Sequence, residues 1–143
     1  MKNLIVGFVI LVVIIAGVII VSGKIKVNRL PVPSPIPSIQ QKIENKFPSL
    51  NIPKDSERAE LKDVSGGNSM GLATRTEILA DLPDLTAGQT YQVQLSNGSK
   101  NIIIGNLRQT KGGWILNYDS GKFSGYDKVT ILRAGSKILE GSF

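Results

Sequence analysis

Eighteen consecutive residues, Leu4 to Val21, carry no charged or strongly polar side chain, and twelve of them are Val or Ile. A run like that leaves the chain few choices. As an α-helix rising ~1.5 Å per residue it reaches ~27 Å, close to the ~30 Å hydrocarbon core of a bilayer, and Ser22 and Gly23 complete the crossing. Val and Ile are indifferent helix formers in water, but in lipid every backbone N–H and C=O must be satisfied within the segment, which a helix does alone. Residues 4–23 are therefore expected to form a transmembrane signal anchor behind the short tail Met1 to Asn3. A cleaved signal peptide competes with this reading, since Val21-Ser22-Gly23 offers small residues to a peptidase. The apolar region of a cleavable peptide, however, runs to only ~7–15 residues. A pilin-type leader cut after Gly7 would require a glutamate where Val12 stands.

Beyond the anchor the chain has material for one small domain. Its 143 residues include no Cys and no His, which removes thiolate nucleophiles, disulfides, the commonest zinc ligands and a Ser-His-Asp triad. No catalytic, cofactor or metal residue is assigned, and no enzyme is expected. The formal net charge of +6 is unevenly placed: Lys2 gives +1, residues 24–55 give +4, and residues 56–143 give +1. Lys24, Lys26 and Arg29 lie just beyond the anchor, where anionic headgroups attract such residues by about 1 kcal/mol each. Membrane lipid is the partner this implies, and nucleic acid is not. The same three cations oppose an outward-facing domain under the positive-inside rule. The signal-like N-terminal tail and a proline-rich stalk beyond the anchor favour it, and the domain is expected to be extracytoplasmic at the cell membrane.

Pro31, Pro33, Pro35 and Pro37 alternate through residues 30–38, each fixing its own φ and pushing its predecessor toward extended conformations. As polyproline II this spacer spans ~28 Å. A ligand for a proline-recognition module is the functional alternative. Ser38 and Gln41 fit a capping box, and Ile39, Ile43 and Phe47 share a helical face until Pro48, so a short helix over 39–47 is expected within a linker spanning 24–55.

Six of seven prolines precede Lys54, whereas twelve of fifteen glycines lie from Gly66 onward, which marks a domain over 56–143. There the hydrophobic period becomes two. Tyr91, Val93 and Leu95 alternate with glutamines, Trp114, Leu116 and Tyr118 form another run, and Val129 and Ile131 a third. Ala59 to Val64, Leu72 to Ala80, Lys100 to Arg108 and Ile138 to Phe143 add four strands, separated by Gly-rich turn signals such as Asn97-Gly98. About seven closely spaced strands predict an all-β fold, an antiparallel immunoglobulin-like sandwich.

Residues Leu82 to Phe143 resemble the extracytoplasmic C-terminal domain of the anti-sigma-K factor family. The resemblance is carried by Leu82-Pro83, Leu85, Ala87-Gly88-Gln89-Thr90-Tyr91-Gln92-Val93, Gly105, Gly113-Trp114, Asp127 to Ile131 and Ala134-Gly135-Ser136. It implies the sensor half of such a protein, with Gly88, Tyr91, Gly105, Trp114 and Gly135 as structural positions. Gln94 stands where the family usually has tryptophan, and Leu132-Arg133 replaces a usual Glu-Pro. Family members that inhibit a sigma factor carry a cytoplasmic domain ahead of the membrane helix. Only Met1 to Asn3 precede it here, so direct sigma-factor binding is not expected.

Several residues invite sharper readings. Trp114, Tyr118 and Tyr91 suit a sugar-stacking surface, but their shared strand phase predicts core packing. Asn97-Gly98-Ser99 is a glycosylation sequon and also a hairpin turn. Asp81, Asp84 and Glu77 suggest a calcium site or paired acid and base, but there is no EF-hand spacing and ordinary solvated loop carboxylates explain them better. Ser136 and Lys137 form no dyad, because neighbours in a strand face opposite ways. The expected function is a membrane-anchored extracytoplasmic binding or sensory module with an envelope protein or polymer as partner. A structural envelope scaffold or cell-wall-polymer-binding protein is the alternative.

Overall fold

Residues 36–49, 52–53 and 55–143 are described by a computed structural model. The apolar stretch 4–23, the cations Lys24, Lys26 and Arg29, and the first three prolines of the spacer lie outside the described residues. Among those described, no helix is long and apolar enough to cross a membrane.

The first described element is helix α1 (Ile39–Lys46), held at its start by the capping box: Ser38 Oγ accepts from Gln41 N, and Gln41 Oε1 accepts from Ser38 N, both at 3.2 Å. A helix of only eight residues is marginal by itself in water and depends on packing. Ile43 and Phe47, together with Ile52, pack against Leu72, Leu79 and Ile115 of the sheet. Lys46 Nζ bonds Asp81 Oδ2 at 2.5 Å. The Lys111-Gly112-Gly113 turn meets the end of α1 so closely that a Cβ on Gly112 (φ +112°) would collide with the Lys46 carbonyl oxygen. The helix thus packs on the sheet, within a compact unit that runs from Ile36 to Phe143.

Nine strands follow among the described residues: β1 (Arg58–Asp63), β2 (Met70–Thr74), β3 (Glu77–Asp81), β4 (Tyr91–Ser96), β5 (Asn101–Asn106), β6 (Arg108–Thr110), β7 (Gly113–Asn117), β8 (Lys128–Arg133) and β9 (Ser136–Ser142). All pairings are antiparallel, in one sheet of order β5-β4-β8-β9-β1-β2-β3-β7-β6. The described residues are mostly antiparallel β, as expected, but the strands share a single ladder. Nine strands stand in place of seven because two runs that read as unbroken strands are each divided.

The run from Leu72 to Ala80 turns back on itself at Arg75-Thr76, where Thr74 Oγ1 accepts from Thr76 N at 3.3 Å and from Glu77 N at 3.1 Å. A threonine hydroxyl makes this turn, with no Gly or Pro to announce it. The run from Lys100 to Arg108 changes partners instead. Residues 101–106 pair with β4, Leu107 N donates to Tyr91 O at 2.8 Å, and residues 108–110 pair with β7. One bent strand therefore links the two ends of the strand order, and the sheet is nearly closed. Gly105 sits at the bend, where a Cβ would lie 3.2 Å from Leu116 Cδ1.

The enclosed core holds Leu61, Ile78, Val93, Leu95, Val129 and Ile131, all at most 1% exposed. Ala59, Ala73 and Ala80 are small interior residues beside the Tyr91–Trp114 pair, whose rings meet edge to face at 5.1 Å between centroids.

Candidate binding cavity

The five residues singled out by the family resemblance lie in the core or at bends and turns of the chain. Tyr91 is fully buried and Trp114 is 7% exposed. Their polar tips reach consecutive carbonyls: Trp114 Nε1 donates to Leu82 O and Tyr91 OH to Pro83 O, both at 3.2 Å. The extended Leu82-Pro83 segment thus supplies two acceptors that let both rings be buried without an orphaned donor. Neither ring presents a face for sugar stacking. Gly88 (φ +84°) turns the chain before β4, and Gly135 (φ +81°) with Ala134 (φ 49°) turns it between β8 and β9. Asn97 Oδ1 accepts from Lys100 N at 3.0 Å across the β4–β5 hairpin.

The acidic residues do not converge. Asp81 pairs with Lys46, Asp84 Oδ1 accepts from Gln109 Nε2 at 2.6 Å, and the Glu77 pKa is raised by burial. Among the described residues no three Asp, Glu, His or Cys side chains are placed to hold a metal ion. Asp63 has a different task. Its carboxylate accepts from Ser65 N (2.7 Å), Ser65 Oγ (2.8 Å), Gly67 N (3.1 Å) and Ser69 N (2.9 Å), closing the β1–β2 loop. Partial burial raises its pKa, but those four hydrogen bonds outweigh burial and hold it down to about 2.

Tyr118 is the aromatic that the strand pattern misassigns. It lies just past β7 and opens the segment 118–127, which covers one end of the sheet. Tyr118 N donates to Thr76 O at 2.9 Å and Tyr118 OH to Thr74 O at 2.7 Å, anchoring the segment on the β2–β3 turn. A 3₁₀ turn (Ser120–Phe123) comes next, capped by Asp119 Oδ1 accepting from Gly121 N at 3.0 Å. Asp127 ties the far end down, its N–H donating to Ser96 O and its carbonyl accepting from Phe143 N at 2.8 Å. Burial raises the Tyr118 pKa, keeping the phenol protonated and a donor.

Beneath this segment lies a cavity of about 310 Å³. Leu95, Tyr118, Phe123 and Tyr126 form its apolar walls, and Ser120 and Ser124 its polar rim. Arg75, from the β2–β3 turn, is the only charged group in the lining among the described residues. The guanidinium is fixed on several sides. Nε and Nη2 donate to Glu57 at 2.9 and 2.8 Å, Nη1 donates to Tyr126 O at 2.6 Å, and Cζ lies 3.9 Å from the Phe143 ring centroid. Arg75 holds the Glu57 pKa below the usual carboxylate range, and Glu57 raises that of Arg75.

A second, more open depression of about 450 Å³ is lined by polar residues including Gln94, Asn101, Lys128, Thr130 and Lys137. Its two lysines both bind Glu140, at 2.7 and 3.0 Å. The cavity beneath residues 118–127 has the apolar walls and few polar groups typical of ligand sites. Sequence reasoning missed it because Arg75 sits inside an apparent strand and Ser120, Phe123, Ser124 and Tyr126 fall between the expected strands, where no pattern singles them out.

No protein-family model matches the chain, and no curated protein or solved structure matches it either. The resemblance to the anti-sigma-K factor domain rests on the Leu82 to Phe143 motifs alone.

Proposed function

We propose that this chain is a membrane-anchored extracytoplasmic binding or sensory module of the kind its anti-sigma-K factor resemblance implies. In this reading residues 4–23 are the anchor, and an immunoglobulin-like sandwich, taken as one sheet folded over a single core, is the body. The cavity under residues 118–127 is the binding element, and its partner is an envelope protein or polymer. The observation that carries the reading is the Arg75 cluster: a guanidinium with ordered partners beside an apolar hollow is a prepared recognition surface. A scaffold or cell-wall-polymer attachment role without signalling is the second reading, supported by the amide- and hydroxyl-rich depression along β4 and β8.

A photo-cross-linking amino acid at position 122, on the rim segment, and at position 62, on β1, tests the assignment in intact cells. The full-length chain is expected in the carbonate-washed membrane fraction, with its domain open to externally added protease and a specific adduct from position 122 alone. Adducts from position 62 alone would move the binding surface to the outer face of the sheet. Digestion only after lysis would reverse the orientation.

A further inference from the structure

The cavity's chemistry narrows what it can hold, given that it serves as the module's binding element. Its volume of about 310 Å³ lies at the low end of small-molecule pockets and about twice that of an engineered cavity that takes benzene, so it suits one ring with a substituent. Its walls favour C–H faces over charge. Arg75 excludes a cation. The guanidinium is already matched by Glu57 in a two-point pair, so an incoming anion would lie beside a carboxylate with no free countercharge in the described lining.

A neutral acceptor remains. Of the five N–H donors of Arg75, three are used, two on Glu57 and one on the Tyr126 carbonyl. Two are left for a carbonyl oxygen. The Ser120 and Ser124 hydroxyls at the rim bond no described residue, and each can both donate and accept. The combination is an aromatic-walled hollow for a methyl group or ring face, N–H donors for a carbonyl, and hydroxyls for hydroxyls. A purely apolar side chain would leave these polar groups unmatched, at a cost to affinity.

We infer that the cavity binds a neutral N-acetylated hexosamine unit of a polymer, with the acetamido carbonyl on Arg75, its methyl group against Phe123 and Tyr126, and the ring hydroxyls on Ser120 and Ser124. The inference deepens the binding-module reading, on which it rests, by naming a ligand class.

Calorimetry with the full-length chain in lipid nanodiscs tests it, using triacetylchitotriose, cellotriose, which lacks the acetamido group, and N-acetyl-phenylalanine amide as probes. Triacetylchitotriose is expected to bind at least roughly tenfold more tightly than cellotriose, the scale of one or two hydrogen bonds plus a buried methyl. Replacing Ser120 and Ser124 together by Ala should weaken it by about tenfold, and Ser124→Trp, which fills the rim, should abolish it. Near-ultraviolet dichroism of the Tyr91–Trp114 pair reports whether each variant is folded. Equal affinity for the two sugars, or no binding of either, overturns the ligand class. In that event, saturable binding of the phenylalanine amide that Ser124→Trp removes would keep the cavity as the binding element and make an aromatic peptide side chain its occupant. Binding of no probe at all would remove the cavity reading as well.

Discussion

The two halves of the sheet are built differently. In β4 one face carries Tyr91, Val93 and Leu95 into the core while Gln92 and Gln94 stay partly exposed; its neighbour β8 sends Val129 and Ile131 inward and has Lys128 partly exposed, with Thr130 and Leu132 buried on its other face. In β2, β3 and β7 both faces are buried: Ala73, Ile78, Ala80 and Trp114 point inward, and Leu72, Leu79 and Ile115 lie under α1. Strand β4 uses water as its second neighbour, and β2, β3 and β7 use a helix. Alternation of polarity therefore encodes only a strand's relation to solvent, and it vanishes wherever another element covers the sheet.

That contrast predicts a graded response to damage. Removing everything before Asp55 should have the largest effect. It deletes Ile43, Phe47 and Ile52, each worth about 1.5–3 kcal/mol if fully buried, against a total stability of roughly 5–15 kcal/mol. The truncated chain is expected to lose its cooperative urea transition; an unchanged midpoint would show that the helix-covered half stands without its helix. Trp114→Ala comes next, at about 3–5 kcal/mol by denaturant unfolding, because it empties the interior shared by both halves and removes a buried hydrogen bond.

Gly112→Ala should cost about 1–3 kcal/mol by pushing the β6–β7 turn off the end of α1. Hydrogen exchange should accelerate in residues 39–46 more than in β4 or β8, and uniform acceleration would break the comparison. Asp63→Asn should cost about 1 kcal/mol, with the β1–β2 loop exchanging faster. The pH dependence has a defined sign. The Asp63 pKa is depressed on folding, so its contribution is complete above the unfolded value near 3.9 and is lost as pH falls toward about 2. The Asn variant should show a shallower acid destabilisation over that window. On the polar outer face, Lys137→Ala should change stability by no more than about 0.5 kcal/mol, since Lys128 still pairs with Glu140.

The same contrast explains what is legible in the sequence. Strands β4 and β8 show in their alternation, and α1 in its capping box and the spacing of Ile43 and Phe47. That Tyr91 and Trp114 belong to the core is evident from their phase. The β2–β3 turn is hidden because its cap is a β-prone threonine and the polar stretch Thr74-Arg75-Thr76-Glu77 contains no Gly, Pro, Asn or Asp. The division between β5 and β6 is hidden because a change of pairing partner leaves no mark on hydrophobicity. Arg75, Phe123 and Tyr126 come from a turn and a loop segment distant in sequence, so no local pattern joins them into a cavity.

The place of β9 has a consequence in time. Synthesised after the other eight strands, it lies between β8 and β1, joining the β4–β5–β8 group to the β1–β2–β3 meander. Until it is made, β1 and β8 each keep an unpaired edge, and such edges are where chains stick to one another. Folding must wait for the seam. During synthesis the half-made domain is an open ribbon that needs protection, and a chain cut short before Ser136 is predicted to aggregate instead of persisting as a smaller, working version.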